Sequence, residues 1–381
     1  MTFHRAYGFD EIALAPSDIT VDESDVNIGV TIAGIELAIP IIASAMDSVC
    51  SPSMAVALGK LGATGVLNLE GVHTRYENPE SILKKIASVS NNDYVTTMQN
   101  AYQKETIKDH LVERCIQTIK SGGGHAIVSS TPQRAAHLGP LAAAAGADAF
   151  IIQSTVISKY FYSSDASKKL DIETFCASMP IPVLIGNTAN YDATKSLLST
   201  GVSGIFVGIG PGAACTTRGV LGIGVPMATC ITDTAKARND YFEETGNYVS
   251  IIADGGIINS GDICKAIACG ADAVMIGSPL ARAHEAPGLG FHWGMATPNA
   301  LLPRGARIEV GSIADLKTIL LGPSSSDDGS LNLAGALSTG MATLGAKSIA
   351  EMHNVKKLIA PSLQTEGKLY QKTQKLGMGK R

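Results

Sequence analysis

Aromatic residues are scarce in this chain of 381 residues, at 5% with a single tryptophan, and only 17% of positions are charged. Positive and negative side chains nearly cancel, 30 Lys and Arg against 34 Asp and Glu, for a formal net charge of −4. Such a balance gives no reason to expect nucleic acid or a membrane surface as partner. The seven cysteines form no CxxC pair and no histidine-partnered spacing. That excludes a disulfide framework and a cysteine-built zinc site, and it implies a reducing, cytoplasmic setting. No apolar stretch reaches the 18 residues a membrane helix needs, and the first ten residues lack the apolar core of a secretory leader. What the chain does have is 45% hydrophobic residues and 40 glycines. This suits a well-cored α/β protein with many tight turns and small-residue packing.

Eight short apolar runs, at 38–43, 63–67, 126–129, 149–152, 181–185, 204–207, 249–253 and 273–276, alternate with helix-like segments. Strands that are apolar throughout belong to a parallel sheet covered on both faces. Eight such units predict a closed (β/α)8 TIM barrel in one domain rather than an open sheet. Gly-Ala-Asp stands before two of the runs, at 146–148 and 270–272, with Gly-Val-Ser at 201–203 in the equivalent place. These read as glycine-ended helices turning into strands. Residues 286–312, rich in Gly and Pro, are expected to form a flap over the C-terminal face. Residues 323–329 are expected to be a solvated connector. The tail 368–381, with its Lys and Arg, is expected to fray unless another subunit holds it.

In a barrel the chemistry gathers where strands end. The sixth run leads into Gly208-Ile209-Gly210-Pro211-Gly212-Ala213-Ala214-Cys215-Thr216-Thr217-Arg218. This places a thiol on a Gly-rich loop, where a thiolate attacks an electrophilic carbon. The competing reading, a buried small hydrophobe, fits poorly with the polar residues that follow. The seventh run ends in Asp254-Gly255-Gly256-Ile257 and the eighth in Gly277-Ser278-Pro279. Glycines in these two loops are the common barrel grip for a phosphate. Asp254 beside them is suited to accept from two vicinal hydroxyls, as on a ribose; the alternative is a simple helix cap. Thiol, diol acceptor and phosphate grip together describe a nucleoside monophosphate whose base lies against Cys215.

These residues resemble the IMP dehydrogenase/GMP reductase family, over essentially the whole chain. The resemblance is carried by Ala43-Ser44-Ala45-Met46-Asp47, Gly186-Asn187, the cysteine loop, Ala253-Asp254-Gly255-Gly256-Ile257, Met275-Ile276-Gly277-Ser278, Trp293-Gly294-Met295 and Gly345-Ala346-Lys347. It implies that Cys215 attacks C2 of the purine. Hydride then passes from C2 to NAD, and water hydrolyses the thioimidate to XMP. In the GMP reductase branch the same adduct forms from GMP with loss of ammonia, and NADPH returns a hydride. By the same resemblance Ser44, Met46, Asp254, Gly256, Gly277, Ser278, Gly294 and Met295 hold the nucleotide. Gln153, Ser154, Asn187 and Gly208 face the cofactor. The carbonyls of Gly210, Gly212 and Cys215 match a potassium (K+) site completed by Glu366 and Gly367 of a neighbouring copy, in a homotetramer.

The departures from the family pattern carry information of their own. Residues 70–124 are too few to contain the family's pair of CBS modules. A phosphate-contacting serine is Ala213 here. The acid that usually holds a cofactor ribose is Gln153. His292 stands in the place of a tyrosine near the phosphate and is expected to add a cation there. Lys368 replaces a glycine of the tail motif, and its ammonium is expected to substitute for the potassium ion. The family's water-activating Arg-Tyr pair is missing, and Arg304 takes the place of the acid or amide that pairs with the loop threonine, here Thr217. Loss of that acid disfavours GMP reductase, which needs a proton donor. Arg304 beside Thr217 is instead expected to take over water activation, although an arginine is an unusual base because its pKa is so high; the alternative is a solvated charge on the flap. IMP oxidation is therefore the first expectation, GMP reduction the second, and a catalytically silent purine-nucleotide-binding barrel the third.

Overall fold

The computed structural model describes residues 4–165, 169–295, 306–360 and 367–380. Eight parallel strands close into a barrel: β1 (Ile41–Ala43), β2 (Thr64–Asn68), β3 (Ile127–Ser130), β4 (Ala149–Gln153), β5 (Val183–Thr188), β6 (Gly204–Val207), β7 (Ser250–Asp254) and β8 (Ala273–Ile276). β8 pairs back onto β1, with Val274 opposite Ile41. All eight expected runs are thus strands of one (β/α)8 barrel. Successive residues serve opposite faces: Ile42, Ile151, Leu184, Phe206 and Met275 fill the interior. Their neighbours Ile41, Phe150, Ile185, Ile205 and Val274 pack outward against the helices. Both faces are dry, so the strands need apolar residues at every position rather than at alternate ones.

A hairpin, Val30–Ile32 paired with Ile35–Leu37, plugs the N-terminal end of the barrel. Its tight turn uses positive φ at Ala33 and Gly34, as two-residue hairpins require. Ile32, Ile35 and Leu37 join the barrel interior. The void left there is about 10 Å³, room for no more than about one water. Access to the barrel axis from this end is closed.

The glycine-ended helix turns are present, with positive φ at Gly146, Gly201 and Gly270. The aspartates that follow two of them have a structural task. Asp148 accepts from Ala126 N at 2.8 Å, and Asp272 from Ile251 N at 2.7 Å, each fixing the entry of a neighbouring strand. Asp272 is further bound by Arg238 Nη1 at 2.9 Å and by the Tyr248 hydroxyl at 2.6 Å. This ion pair is buried, Arg238 being 2% exposed.

Between β2 and β3 the chain adds two helices, Pro79–Ser88 and Tyr94–Gln103, before the barrel helix Asp109–Ser121. Of the expected flap, the two ends form an antiparallel ribbon of β9 (Phe291–Trp293) and β10 (Arg307–Glu309); residues 296–305 lie outside the described residues. One expectation holds and one needs correction. Residues 323–329 form a largely exposed connector, anchored at its end where the Gly329 carbonyl accepts from Ser260 N at the start of the helix after β7. The tail does not fray at 368–380, because Lys368–Gln374 is helical and the last turn docks on that same loop. There Asp327 accepts from Gly377 N and pairs with the Lys380 ammonium. Backbone turns and an ion pair satisfy groups that composition alone assigns to solvent.

Candidate active site

Cys215 sits on the loop after β6, with its N–H donating to the Gly212 carbonyl at 3.0 Å. Its thiol is exposed and lies 3.2 Å from the buried Thr217 hydroxyl. The other six cysteines are buried or half-buried. Burial pushes Cys50, Cys115 and Cys230 up to about 12, and Cys176 and Cys264 up to about 11. Only the loop thiol is therefore placed to meet a ligand as a nucleophile.

The loops after β6 and β7 touch. A Cβ built on Gly255 would lie 3.2 Å from the Pro211 ring and 3.4 Å from Gly212 N; on Gly256 it would lie 2.9 Å from Pro211. Gly208 approaches the Asp254 carbonyl so closely that a Cβ there would come within 2.4 Å of it, at φ 138°. Glycine is needed because backbone meets backbone and left-handed or wider φ is used.

Asp254 closes β7 and caps no helix; the helix that follows is capped by Asn259, whose side chain accepts from Asp262 N. The Asp254 Oδ2 atom accepts from Asn187 Nδ2 at 2.8 Å, with Gln153 Nε2 at 3.5 Å. Asn187 also donates to the Gly208 carbonyl at 2.9 Å, so both its amide hydrogens are used and its oxygen is left for a ligand. Ser154 N donates to the Gly186 carbonyl and its own carbonyl accepts from Asn187 N, which ties the ends of β4 and β5 together. Burial raises the Asp254 carboxyl to about 6, against the lowering by Asn187 and Gln153. A carboxyl raised on folding binds more protons in the native state, so its ionisation costs stability as pH rises from about 4 to 6. Asp254→Asn is accordingly expected to melt higher than the wild-type protein above pH 6. The gap should close as pH falls towards 4. Melting curves across that range check this; a gap independent of pH would contradict it.

At the ends of the neighbouring strands β8 and β1, Ser44, Met46, Gly277 and His292 converge. A Cβ on Gly277 would meet Met46 Sδ at 3.4 Å, Ser44 Oγ at 3.5 Å and His292 Nδ1 at 3.8 Å. Ser278 Oγ lies 3.0 Å from His292 Nε2. The expected cation at His292 is not supported: the side chain is 2% exposed, and burial lowers it to about 4, so it is neutral near pH 7. Taking an imidazolium out of water without an anion costs more than keeping the ring neutral.

Gly294 and Met295 follow β9 directly. On the far side of residues 296–305, Ala306 N donates to the Ala214 carbonyl at 3.1 Å, which brings the returning chain against the cysteine loop. Arg304 and Glu366 lie outside the described residues. Gly367 is the N-cap of the tail helix, and Lys368 its first residue. In the cysteine loop, Gly210 stands at φ 78°, and the bond from Cys215 N to the Gly212 carbonyl closes a turn over 212–215. Among the described residues no His, Cys, Asp and Glu cluster suits a transition metal, and no helix is long and apolar enough to cross a membrane.

The residues that hold Trp293 and Asp47 in place were not singled out from sequence. Tyr102 bonds both, and Arg307 of β10 donates to the carbonyls of Ile86, Ala87 and Val89 while stacking on Tyr94 and Phe291. The only sequence signal for the first contact is the lone tryptophan standing beside Gly294-Met295.

Residues 6–296 match the profile of the IMP dehydrogenase / GMP reductase domain. An uncharacterized oxidoreductase of Mycolicibacterium smegmatis is 38% identical over 363 residues, covering 93% of this chain and 96% of its own. The inosine-5'-monophosphate dehydrogenase of Cryptosporidium parvum is 32% identical, over 74% of this chain and 69% of its own. Among solved structures, an IMP dehydrogenase/GMP reductase-like protein from Corynebacterium glutamicum superposes with a TM-score of 0.87 at 34% identity, covering 94% of this chain and 95% of its own. The chain belongs to the IMP dehydrogenase/GMP reductase family of oxidoreductases.

Proposed function

We propose that this protein oxidises IMP to XMP through a covalent adduct on Cys215. The observation that carries this reading is the exposed Cys215 thiol beside Thr217, on a loop that abuts the Asp254-Gly255-Gly256 turn. The thiolate adds to C2 of the hypoxanthine and forms an S–C2 bond. Bound NAD+ supplies the acceptor for the C2 hydride. Water then adds at C2 and the S–C2 bond breaks, which gives XMP and restores the thiol. Asp254 accepts from the ribose diol, while Gly256, Gly277 and Ser278 hold the phosphate. Ser44, Met46, Gly294 and Met295 hold the base, and His292 supports Ser278 as a neutral ring. Gln153, Ser154, Asn187 and Gly208 border the cofactor's side of the mouth. Their free groups, foremost the Asn187 amide oxygen, suit a carboxamide or ribose. Thr217 and Arg304 are assigned to water activation. Potassium is assigned to the carbonyls of Gly210, Gly212 and Cys215, with Glu366 and Gly367 of a neighbouring copy, in a homotetramer acting in the cytoplasm.

GMP reduction is the second reading, favoured by the short β2–β3 connection, which holds three helices and no room for CBS modules. One assay separates the two. NADH appearing at 340 nm with IMP and NAD+ supports oxidation. NADPH consumption with GMP overturns it, and silence with both pairs favours a nucleotide-binding barrel without catalysis.

A further inference from the structure

The Tyr102 hydroxyl is the meeting point of two loops at the barrel mouth. It donates to Asp47 Oδ2 at 2.9 Å and accepts from Trp293 Nε1 at 2.9 Å. The Met295 sulfur lies 3.4 Å from the same oxygen. A phenol has one hydrogen, and the charged carboxylate is the stronger acceptor, so the sulfur contact is one of packing. Asp47 is fully buried three residues after Ser44, and its Oδ2 also accepts from Val72 N at 2.7 Å. Its Oδ1 has no partner among the described residues, and a Cβ on Gly71 would come within 1.9 Å of that atom. The chain is shaped around this carboxylate. Tyr102, 2% exposed, packs with Val72, Ile86, Met98 and Trp293 in a core separate from that of the barrel.

We infer that Tyr102 is a positioning residue for purine recognition. Through its one hydroxyl it fixes the Trp293–Met295 segment to the Ser44–Asp47 loop, so the two walls that face the base keep one spacing. The inference rests on the proposed reading, in which Ser44, Met46 and Met295 hold the base. It adds a residue from the helix Tyr94–Gln103 of the β2–β3 connection that sets their geometry. Phenylalanine at 102 keeps the ring and removes only the junction.

Trp293 is the chain's single tryptophan, so its emission reports on the junction directly. In Tyr102→Phe the emission maximum is expected to move, and the KM for IMP to rise roughly five- to tenfold, the span of one lost hydrogen bond. The kcat is expected to stay within about twofold, since the hydroxyl acts through Asp47 and Trp293 and makes no bond to Cys215 or Thr217 among the described residues. A purely structural loss would lower the active fraction, hence apparent kcat, and leave KM alone. Unchanged emission together with unchanged KM overturns the inference. If the variant does not fold, the wild-type protein decides: IMP bound by calorimetry without any change in Trp293 emission overturns it, and a saturable change supports it. Absence of any IMP binding to the wild-type protein instead overturns the proposed function, and the emission of Tyr102→Phe still tests the junction by itself.

Discussion

Replacing Cys215 with alanine is expected to abolish turnover while leaving purine nucleotide binding close to that of the wild-type protein. The loss should be on the order of 10⁴-fold or more, as for other enzymes deprived of their nucleophile. The argument is one of exclusion among thiols as much as of placement. Six of the seven cysteines sit in surroundings that raise the thiol or keep it from solvent; Cys215 alone is exposed, with a hydroxyl at 3.2 Å. No second thiol among the described residues is exposed to take over. Binding should persist because Asp254, the proposed diol acceptor, closes β7, and Gly256 and Gly277 lie in the loops after β7 and β8 rather than in the cysteine loop. Steady-state assays beside nucleotide titrations by calorimetry check both halves. A variant that keeps more than a few per cent of activity would remove the covalent route. Alkylation by iodoacetamide, mapped by mass spectrometry, should reach Cys215 first, and bound nucleotide should slow it.

The second large effect concerns stability rather than chemistry. Arg238→Ala is expected to cost about 3–5 kcal/mol, because it leaves the buried Asp272 carboxylate without its cation. Arg238 Nη1 holds Asp272 and the Tyr248 oxygen, and Nη2 reaches the Gly270 carbonyl. Asp272 in turn fixes Ile251 N at the entry of β7, the strand that ends in Asp254. Burial first, then the nearby Asp272 charge, pushes the Tyr248 phenol well above its ordinary value despite Arg238 beside it, so the phenol stays a donor throughout the usual pH range. Removing the arginine strands a charge and loosens a strand of the closed ring. Chemical denaturation should show a lowered midpoint, with KM for IMP nearly unchanged well below the melting range. Asp272→Asn together with Arg238→Met, which removes both charges, should recover much of the loss. A single Arg238→Ala variant as stable as the wild-type protein would contradict the account.

The barrel was legible because its strands are apolar at every position, a demand set by two dry faces and visible within five or six residues. Ile41 and Ile42, or Phe150 and Ile151, face opposite sides yet are both hydrophobic. The thiol loop was legible because Gly208, Gly210 and Gly212 mark a chain that must turn tightly where other backbone comes close. Less could be read where partners are far apart in sequence. Tyr102 and Trp293 are separated by 191 residues, and nothing in Tyr94–Gln103 marks its one buried hydroxyl as a junction. The error over His292 has the same root. A histidine's charge depends on what surrounds it in space, and this one is walled in beside Ser278, with no anion among the causes of its shift. The docking of the tail on Asp327 likewise joins residues some fifty positions apart.

The hairpin that plugs the lower end has a consequence for traffic. With Ile32, Ile35 and Leu37 sealing the floor, the barrel is a cup with one rim. The ribbon of β9 and β10 stands on that rim. On the proposed function, nucleotide, cofactor and water would all pass it, so each departure would have to clear the doorway that the next arrival needs, and occupancy of the rim would set the order of events at Cys215 as much as the reactivity of the thiol.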